Sequence, residues 1–458
     1  MFQYIEKNTY YNKKDGIDLK IISNSNLFKN ISNIAKEQLY SITDLPNVSS
    51  PIVGFPDIHP GYGVPIGSCF ASLKENAIIS CEAVGFDINC GIRLISTNLT
   101  TKDLNSNQLK ELRDSFSTLP IGLSKAGIKI SKGALNSILE KGINWAIDNG
   151  YEKRKSKSSI EYFGNYKNVN SNYVSVLAKQ RGIEQVGTLG QGNHFIDLVS
   201  VGEIFDKKAC KIYGLSKNQY CIMLHTGSRG LGHQIARDYC NLFGNKYPMS
   251  YDYLNSELGN AYFTAMKCAA NYAYVNRAIL SFKIKEKILE VLKLKEKDLD
   301  FDLVYDLCHN IANLEKHNSK SYLVHRKGAT KVFSSKDLPS THKYSSIGCP
   351  IILPGSMMDP SYILKPGNYK ALSKIYSTVA HGSGRQLSRT DAKDQITYDA
   401  LKSKLKRKGI YLGGRSENIA REEQPASYKK SIEVVESLEG ANLVKRVCTL
   451  NPKIVITG

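Results

Sequence analysis

No stretch of the 458 residues approaches the roughly 18 to 20 uninterrupted apolar residues that a bilayer-spanning helix needs, so no membrane anchor is expected. The opening residues, MFQYIEKNTYYNKKDG, contain no apolar core of the kind a secretory leader requires, and none is expected here. Cysteine is sparse: ten scattered residues without a CxxC pair exclude a disulfide scaffold and point to a reducing compartment, the cytoplasm or, in a eukaryote, also the nucleus. Acidic charge is short as well. Against 62 Lys and Arg stand 42 Asp and Glu, a net charge of +20 that suits a nucleic-acid partner through counterion release. The plain alternative is an Asn- and Lys-rich composition that serves solubility. There is no internal repeat and no Gly/Ser linker, while 41% hydrophobic residues suffice for a large core and exclude wholesale disorder.

Residues 1–50 read as an extension, with one helix near Asn30 to Leu39, leading into a core of residues 51–458. Between Ser50 and Asn98, short β-type runs such as Ala77 to Cys81 and Ile92 to Ser96 alternate with Gly- and Pro-rich turns. Helices are expected over Leu104 to Phe116 and Gly133 to Asn149, followed by a basic, exposed loop over 151–173. The longest helical periodicity covers 253–297, as one helix or two. Lys153 to Lys157 and Lys402 to Lys408 are basic runs, readable as solvated surface or as phosphate contacts.

Most of the nine histidines sit beside Gly, Asn, Ser or Arg, and several open or close apolar runs. In VGFDINCGIRL, Asp87 and Cys90 are close enough to share one metal ion or to serve two; a structural Cys beside a turn Asp is the bland alternative. GTLGQGNHF sets Asn193 and His194 after three glycines, without the Gly-Lys-Ser/Thr ending of a Walker A loop. HTGSRGLGH delivers His225 and Arg229, DLCHNIAN places His309 on an expected helix, and VHRKGATK sets His325 and Arg326 in a cluster suited to phosphate. STVAHGSGRQLSR ends an apolar segment on His381, followed by Arg385 and Arg389, as a nucleophile or ligand facing phosphate. Together Asp87, Cys90, His194, His225 and His309 would make a mixed O, S, N site for two divalent ions. By softness alone, the thiolate favours zinc or iron. The residues themselves read as a metal-dependent phosphoryl-transfer enzyme.

These segments, with PDIHPGYGVPIG, AMKCAANYAYVNR and LPGSM, resemble the RtcB family of RNA ligases, in the family's order from about residue 54 to the end. The resemblance implies an α+β fold, with a sheet-based core, surrounding helices and a central two-metal cleft. It also implies an enzyme that joins RNA 2′,3′-cyclic-phosphate or 3′-phosphate ends to 5′-hydroxyl ends, using GTP and two manganese ions, in tRNA splicing or RNA repair. By the same resemblance, Asp87, Cys90, His194, His225 and His309 are the metal ligands, with Cys90 bridging, and His381 is the guanylylated nucleophile. Asn193, Asp197, Ser356, Ser361, Ser383, Gly384, Tyr428 and Thr457 fall at nucleotide positions; Arg229, Arg385, Arg389, His325 and Arg326 are assigned to RNA phosphates. The implied partners are tRNA halves or cleaved RNA and GTP; the resemblance leaves open whether an archease-type activator is needed.

The chain departs from the family pattern where Asp197 and Thr457 replace the usual Glu and Lys that read guanine, so a weaker preference for GTP is expected unless Lys429 or Lys453 substitutes. A metal-dependent RNA phosphatase or nuclease is the first rival reading, because it would need the cations but not His381. A non-catalytic RNA-binding relative is the second, although such a protein would be free to lose its metal ligands.

Overall fold

The computed structural model describes residues 2–122 and 127–458. Its frame is two β-sheets with helices packed around them, the α+β architecture implied by the resemblance. The first sheet runs, in spatial order, Gln3–Glu6, Thr9–Lys14, Ile17–Ile22, Val48–His59, Ile66–Leu73, Lys320–Lys327 and Asn310–His317. The second runs Phe301–Cys308, Gly91–Thr100, Gln219–Thr226, Phe195–Ile204, Val444–Thr457, Ser361–Pro366 and Ile351–Leu353, with Tyr411–Gly414 parallel to Val444–Thr457. Residues 3–22 therefore add three strands to the first sheet, and Ile17–Ile22 lies parallel to Val48–His59 with Leu19 opposite Ile52.

Glu257–Leu292 forms one helix of 36 residues. Ser256 caps its start by accepting from the Gly259 N–H at 2.9 Å. From Tyr262 to Ile279 almost every side chain is buried, so this helix is an interior element and its polar residues need partners within the fold. Asn276 and Arg277 find theirs behind the candidate site.

Three expectations change. Gly133 to Asn149 is two helices, Lys132–Lys141 and Ile143–Asp148, because Gly142 takes φ +53° and ends the first. Residues 151–173 are not an exposed loop. Ser159, Ile160, Glu161, Gly164 and Ser171 are buried; Glu161 accepts the Cys308 N–H at 2.7 Å, and Asn271 on the long helix accepts the Tyr166 N–H at 2.7 Å. His309 lies on no helix. It occupies the bend between Phe301–Cys308 and Asn310–His317, where the chain leaves the second sheet and enters the first.

Candidate active site

Strand register assembles the cluster. Gly91 lies opposite both Thr226 and Cys308, and His225 lies opposite both Ile92 and Phe195. Cys90, His194, His225 and His309, each at or next to these paired positions, therefore emerge at one end of the second sheet. Asp87 reaches the same place from the turn after the short helix Cys81–Val84. Gly190, at φ +101°, is required here because a Cβ would strike the Arg229 guanidinium and the His194 ring.

The donor atoms form a chain with Cys90 at its centre. Asp87 Oδ2 is 2.9 Å from His194 Nε2, which is 3.4 Å from Cys90 Sγ; that sulfur is 3.1 Å from His225 Nε2, which is 3.3 Å from His309 Nε2. Cys90, His194 and His225 constitute a metal-binding cluster, and all three are buried. The His225 Nδ1–H donates to the Asn193 carbonyl at 2.8 Å, which leaves Nε2 with a lone pair for a cation. Burial first, and then the neighbouring histidines His194 and His381, push the His225 imidazole well below its usual range; burial, His381 and His225 do the same to His309. Both rings stay neutral and able to ligate. Burial opposes the charge on Asp87, but contact with His194 and the nearby positive groups outweigh it and hold the carboxyl below the carboxylate range. Burial and Asp87 raise the Cys90 thiol far up, so it becomes a ligand by surrendering its proton as a cation enters. One carboxylate, one thiol and three imidazoles, with the buried His309 Nδ1 lacking a hydrogen-bond partner among the described residues, fit a pair of divalent ions.

Arg277 supports this arrangement from behind. Its guanidinium donates to the Asn89 and Thr226 carbonyls at 2.8 and 2.9 Å and pairs with Asp306 at 2.8 Å; Asp306 in turn binds Arg93 at 2.8 Å. Asn89 and Thr226 adjoin Cys90 and His225, so the buried ion network fixes both donors.

His381 follows the strand Thr378–Ala380, and its ring centroid is 4.7 Å from that of His309. Asp57, buried near the end of Val48–His59, receives the His381 Nδ1–H at 2.6 Å and the His381 backbone N–H at 3.1 Å. This hydrogen bond selects the tautomer whose Nε2 carries the lone pair. Gly384, at φ +70°, lies against the Asp57 backbone where a side chain would collide. Asp57 and Arg277 are absent from the sequence-derived candidates, although both lie within quoted segments, PDIHPGYGVPIG and AMKCAANYAYVNR.

Asp87, Cys90, His194, His225, His309 and His381 line one cavity of about 550 Å³, together with Asn193, Asp197, Ser356, Ser383, Gly384, Tyr428, Thr457, Arg229, Arg385 and Arg389. Asp197 Oδ1 and Thr457 Oγ1 are buried without partners, and burial raises the Asp197 carboxyl well above its usual range. Other candidates are placed differently. Ser361 lies outside the cavity lining and accepts the Gly355 N–H at 2.9 Å, shaping the loop that carries Ser356. Arg326 is fully buried and gives both guanidinium ends to Glu315, at 2.6 and 3.0 Å, so it has no fork left for RNA. His325 is buried in a stack on Phe70 with ring centroids 4.7 Å apart. The phosphate assignment for both is corrected; Lys327, the next residue, does line the cavity. Arg385 is largely committed to Glu423, at 3.1 Å, and to the Glu422 carbonyl, at 3.0 Å, while the Arg389 side chain is 59% exposed and holds Glu422 only at 3.9 Å. Lys153 and Lys155 share Asp302, at 3.5 and 2.7 Å.

Sheet ends carrying a buried Cys/His metal cluster, with a carboxylate-aligned histidine beside it, define a metal-binding α+β protein. The family described as tRNA-splicing ligase RtcB matches residues 38–458. A tRNA-splicing ligase RtcB of Methanococcus maripaludis is 38% identical over 447 residues, covering 94% of this chain and 93% of the relative. An RNA-splicing ligase RtcB homolog 1 of Entamoeba dispar is 39% identical over 467 residues, covering 96% of this chain and 87% of the relative. The chain belongs to the RtcB family, a family of RNA ligases. Among the described residues, no helix is long and apolar enough to cross a membrane.

Proposed function

We propose that this protein joins an RNA end bearing a 2′,3′-cyclic phosphate or 3′-phosphate to a 5′-hydroxyl end, with GTP as co-substrate and two manganese ions. The observation that carries the reading is the Asp57–His381 pair beside the donor chain centred on Cys90. Asp87, Cys90 and His194 would hold one ion and Cys90, His225 and His309 the other, and manganese is the ion the family likeness implies. When bound, the ions supply Lewis acidity toward phosphate oxygens and water.

His381 Nε2 attacks the α-phosphorus of GTP, and pyrophosphate leaves. The Nδ1–H held by Asp57 aims the Nε2 lone pair of the neutral ring at the phosphorus and offsets the positive charge that develops on the ring. Once the cyclic phosphate has been hydrolysed, an oxygen of the 3′-phosphate takes GMP from His381. The 5′-hydroxyl oxygen then attacks the 3′ phosphorus, forming the phosphodiester and releasing GMP. A phosphatase or nuclease that uses the cations with water as nucleophile would not require His381, so a GMP adduct on this histidine separates the two readings. The test is incubation with GTP labelled at the α-phosphate and manganese, followed by peptide mapping. An acid-labile GMP adduct on His381 is expected, and its absence would remove the reading.

Asp57→Ala should slow adduct formation by roughly 10²- to 10⁴-fold, the scale on which a lost orienting carboxylate acts. Single-turnover guanylylation is the measurement, and an unchanged rate would reduce Asp57 to a packing residue.

The base pocket leads to a second expected result. Lys429 donates to the Pro56 and Ile58 carbonyls at 2.9 and 2.7 Å, and neither it nor Lys453 lines the cavity. Neither lysine therefore replaces the cation missing at Thr457. A charge-assisted hydrogen bond is worth about 1.5–3 kcal/mol, so GTP preference over ATP should be roughly 10- to 100-fold weaker than in the Thr457→Lys variant, while ITP, which carries the same O6 acceptor, should respond as GTP does. Adduct yields with each nucleotide decide this, and equal preference in both proteins would show that position 457 does not select the base.

A further inference from the structure

A second cleft, of about 380 Å³, lies away from the catalytic cavity, between the N-terminal strands and the short helix Tyr369–Ser373. Lys7, Lys20, Lys370 and Lys374 line it, against a single acid, Glu6. Lys7 is 3.8 Å from Glu6. Among the described residues, the other three lysine side chains make no ion pair. Lys20 is half-buried, and both burial and the charge of Lys374 push its ammonium below the usual range, with Asp18 opposing. Four lysines against Glu6 and Asp18 leave an excess of positive charge, and an anion laid among them would relieve their mutual repulsion.

Its place in the fold suggests which anion. Lys20 pairs with Val53 across parallel strands, and it shares a sheet face with Ile22, two residues on. Ile22 packs in the same apolar cluster as Val379 and Ala380, the residues that lead directly into His381. The cleft therefore borders the apolar cluster that underlies the strand leading into the proposed nucleophile. It is built partly from residues 5–22, ahead of residue 38 where the family match begins. Lysine ammoniums on flexible stems act as point charges that follow a run of phosphates, rather than as a fixed fork that grips one.

We infer that this cleft carries the phosphodiester backbone of the substrate RNA beyond its reacting end. The inference rests on the ligase reading for the identity of the polyanion. The test measures binding of a 3′-phosphorylated RNA of about 20 nucleotides across a salt titration, for the full chain, for exposed Lys370→Ala/Lys374→Ala, and for Lys20→Gln. Each contact to a single strand contributes about 0.7 to the salt slope, so the double variant should lose about 1.4 and bind roughly 10-fold more weakly at moderate salt. A di- or trinucleotide carrying the same 3′-phosphate should bind all three proteins equally. GMP-adduct formation should be unchanged in both variants, which separates this result from failure of the ligase reading, where the unaltered protein would form no adduct. Unchanged RNA slopes in both variants would overturn the inference. So would loss of inorganic phosphate or GTP binding in the variants while RNA binding persists, because the cleft would then hold a small anion.

Discussion

His381→Ala is expected to form no GMP adduct and to join no RNA ends, while retaining the metal content of the unaltered protein. The separation follows from geometry: the His381 ring stands beside His309, yet its Nδ1 is taken by Asp57 and it lies outside the Cys90-centred donor chain. Removing it deletes the nucleophile and leaves the ligands in place. An RNA substrate already carrying the 3′-phosphate-linked GMP should restore sealing to this variant, because the step that needs His381 has been bypassed. A full adduct on the variant would assign the nucleophile to another cavity histidine. Failure of the pre-activated RNA to seal would show that His381 acts beyond guanylylation.

The second large effect is expected from Cys90→Ala. Cys90 Sγ is within 3.4 Å of one imidazole nitrogen and 3.1 Å of another, so its loss withdraws a donor from both halves of the site. Guanylylation and sealing should each fall by at least about 10³-fold, roughly 4 kcal/mol at about 1.4 kcal/mol per tenfold. Bound manganese, counted after gel filtration, should fall from two ions per chain. Two retained ions with normal ligation would mean that the sulfur is a packing atom. Cys90→Ser separates the alternatives further, since a hydroxyl preserves the volume and is a far poorer bridging ligand.

The residues that carry these predictions differ in how readily the sequence exposed them. Asp87 and Cys90 announce themselves because two potential ligands fall within one turn. Their distant partners were legible only as histidines flanked by glycine and asparagine, and strand register is what brings them together. DLCHNIAN spaces its apolar residues for a helix around His309, whereas the pairing of Cys308 with Gly91 makes the preceding segment a strand. Asp57 is not legible in the sequence because its partner is 324 positions away, and nothing local distinguishes an orienting Asp from a turn Asp. Arg326 misled in the opposite direction. A basic VHRK run resembles a phosphate site, but strand alternation turns Arg326 inward to Glu315, a pairing that charge patterning along the chain does not reveal. The α+β class came from the family resemblance, and its sheet order could not be read from periodicity, since His309 alone joins strands of two different sheets.

The ligase reading is tested most directly by following the phosphorus. RNA with a labelled 3′-phosphate is incubated with a 5′-hydroxyl RNA, GTP, manganese and the protein, and the position of the label is determined. Ligation by this route places the label in a phosphatase-resistant junction, in a reaction that depends on GTP. Release of the label as free phosphate, or joining that proceeds equally without GTP, would contradict it.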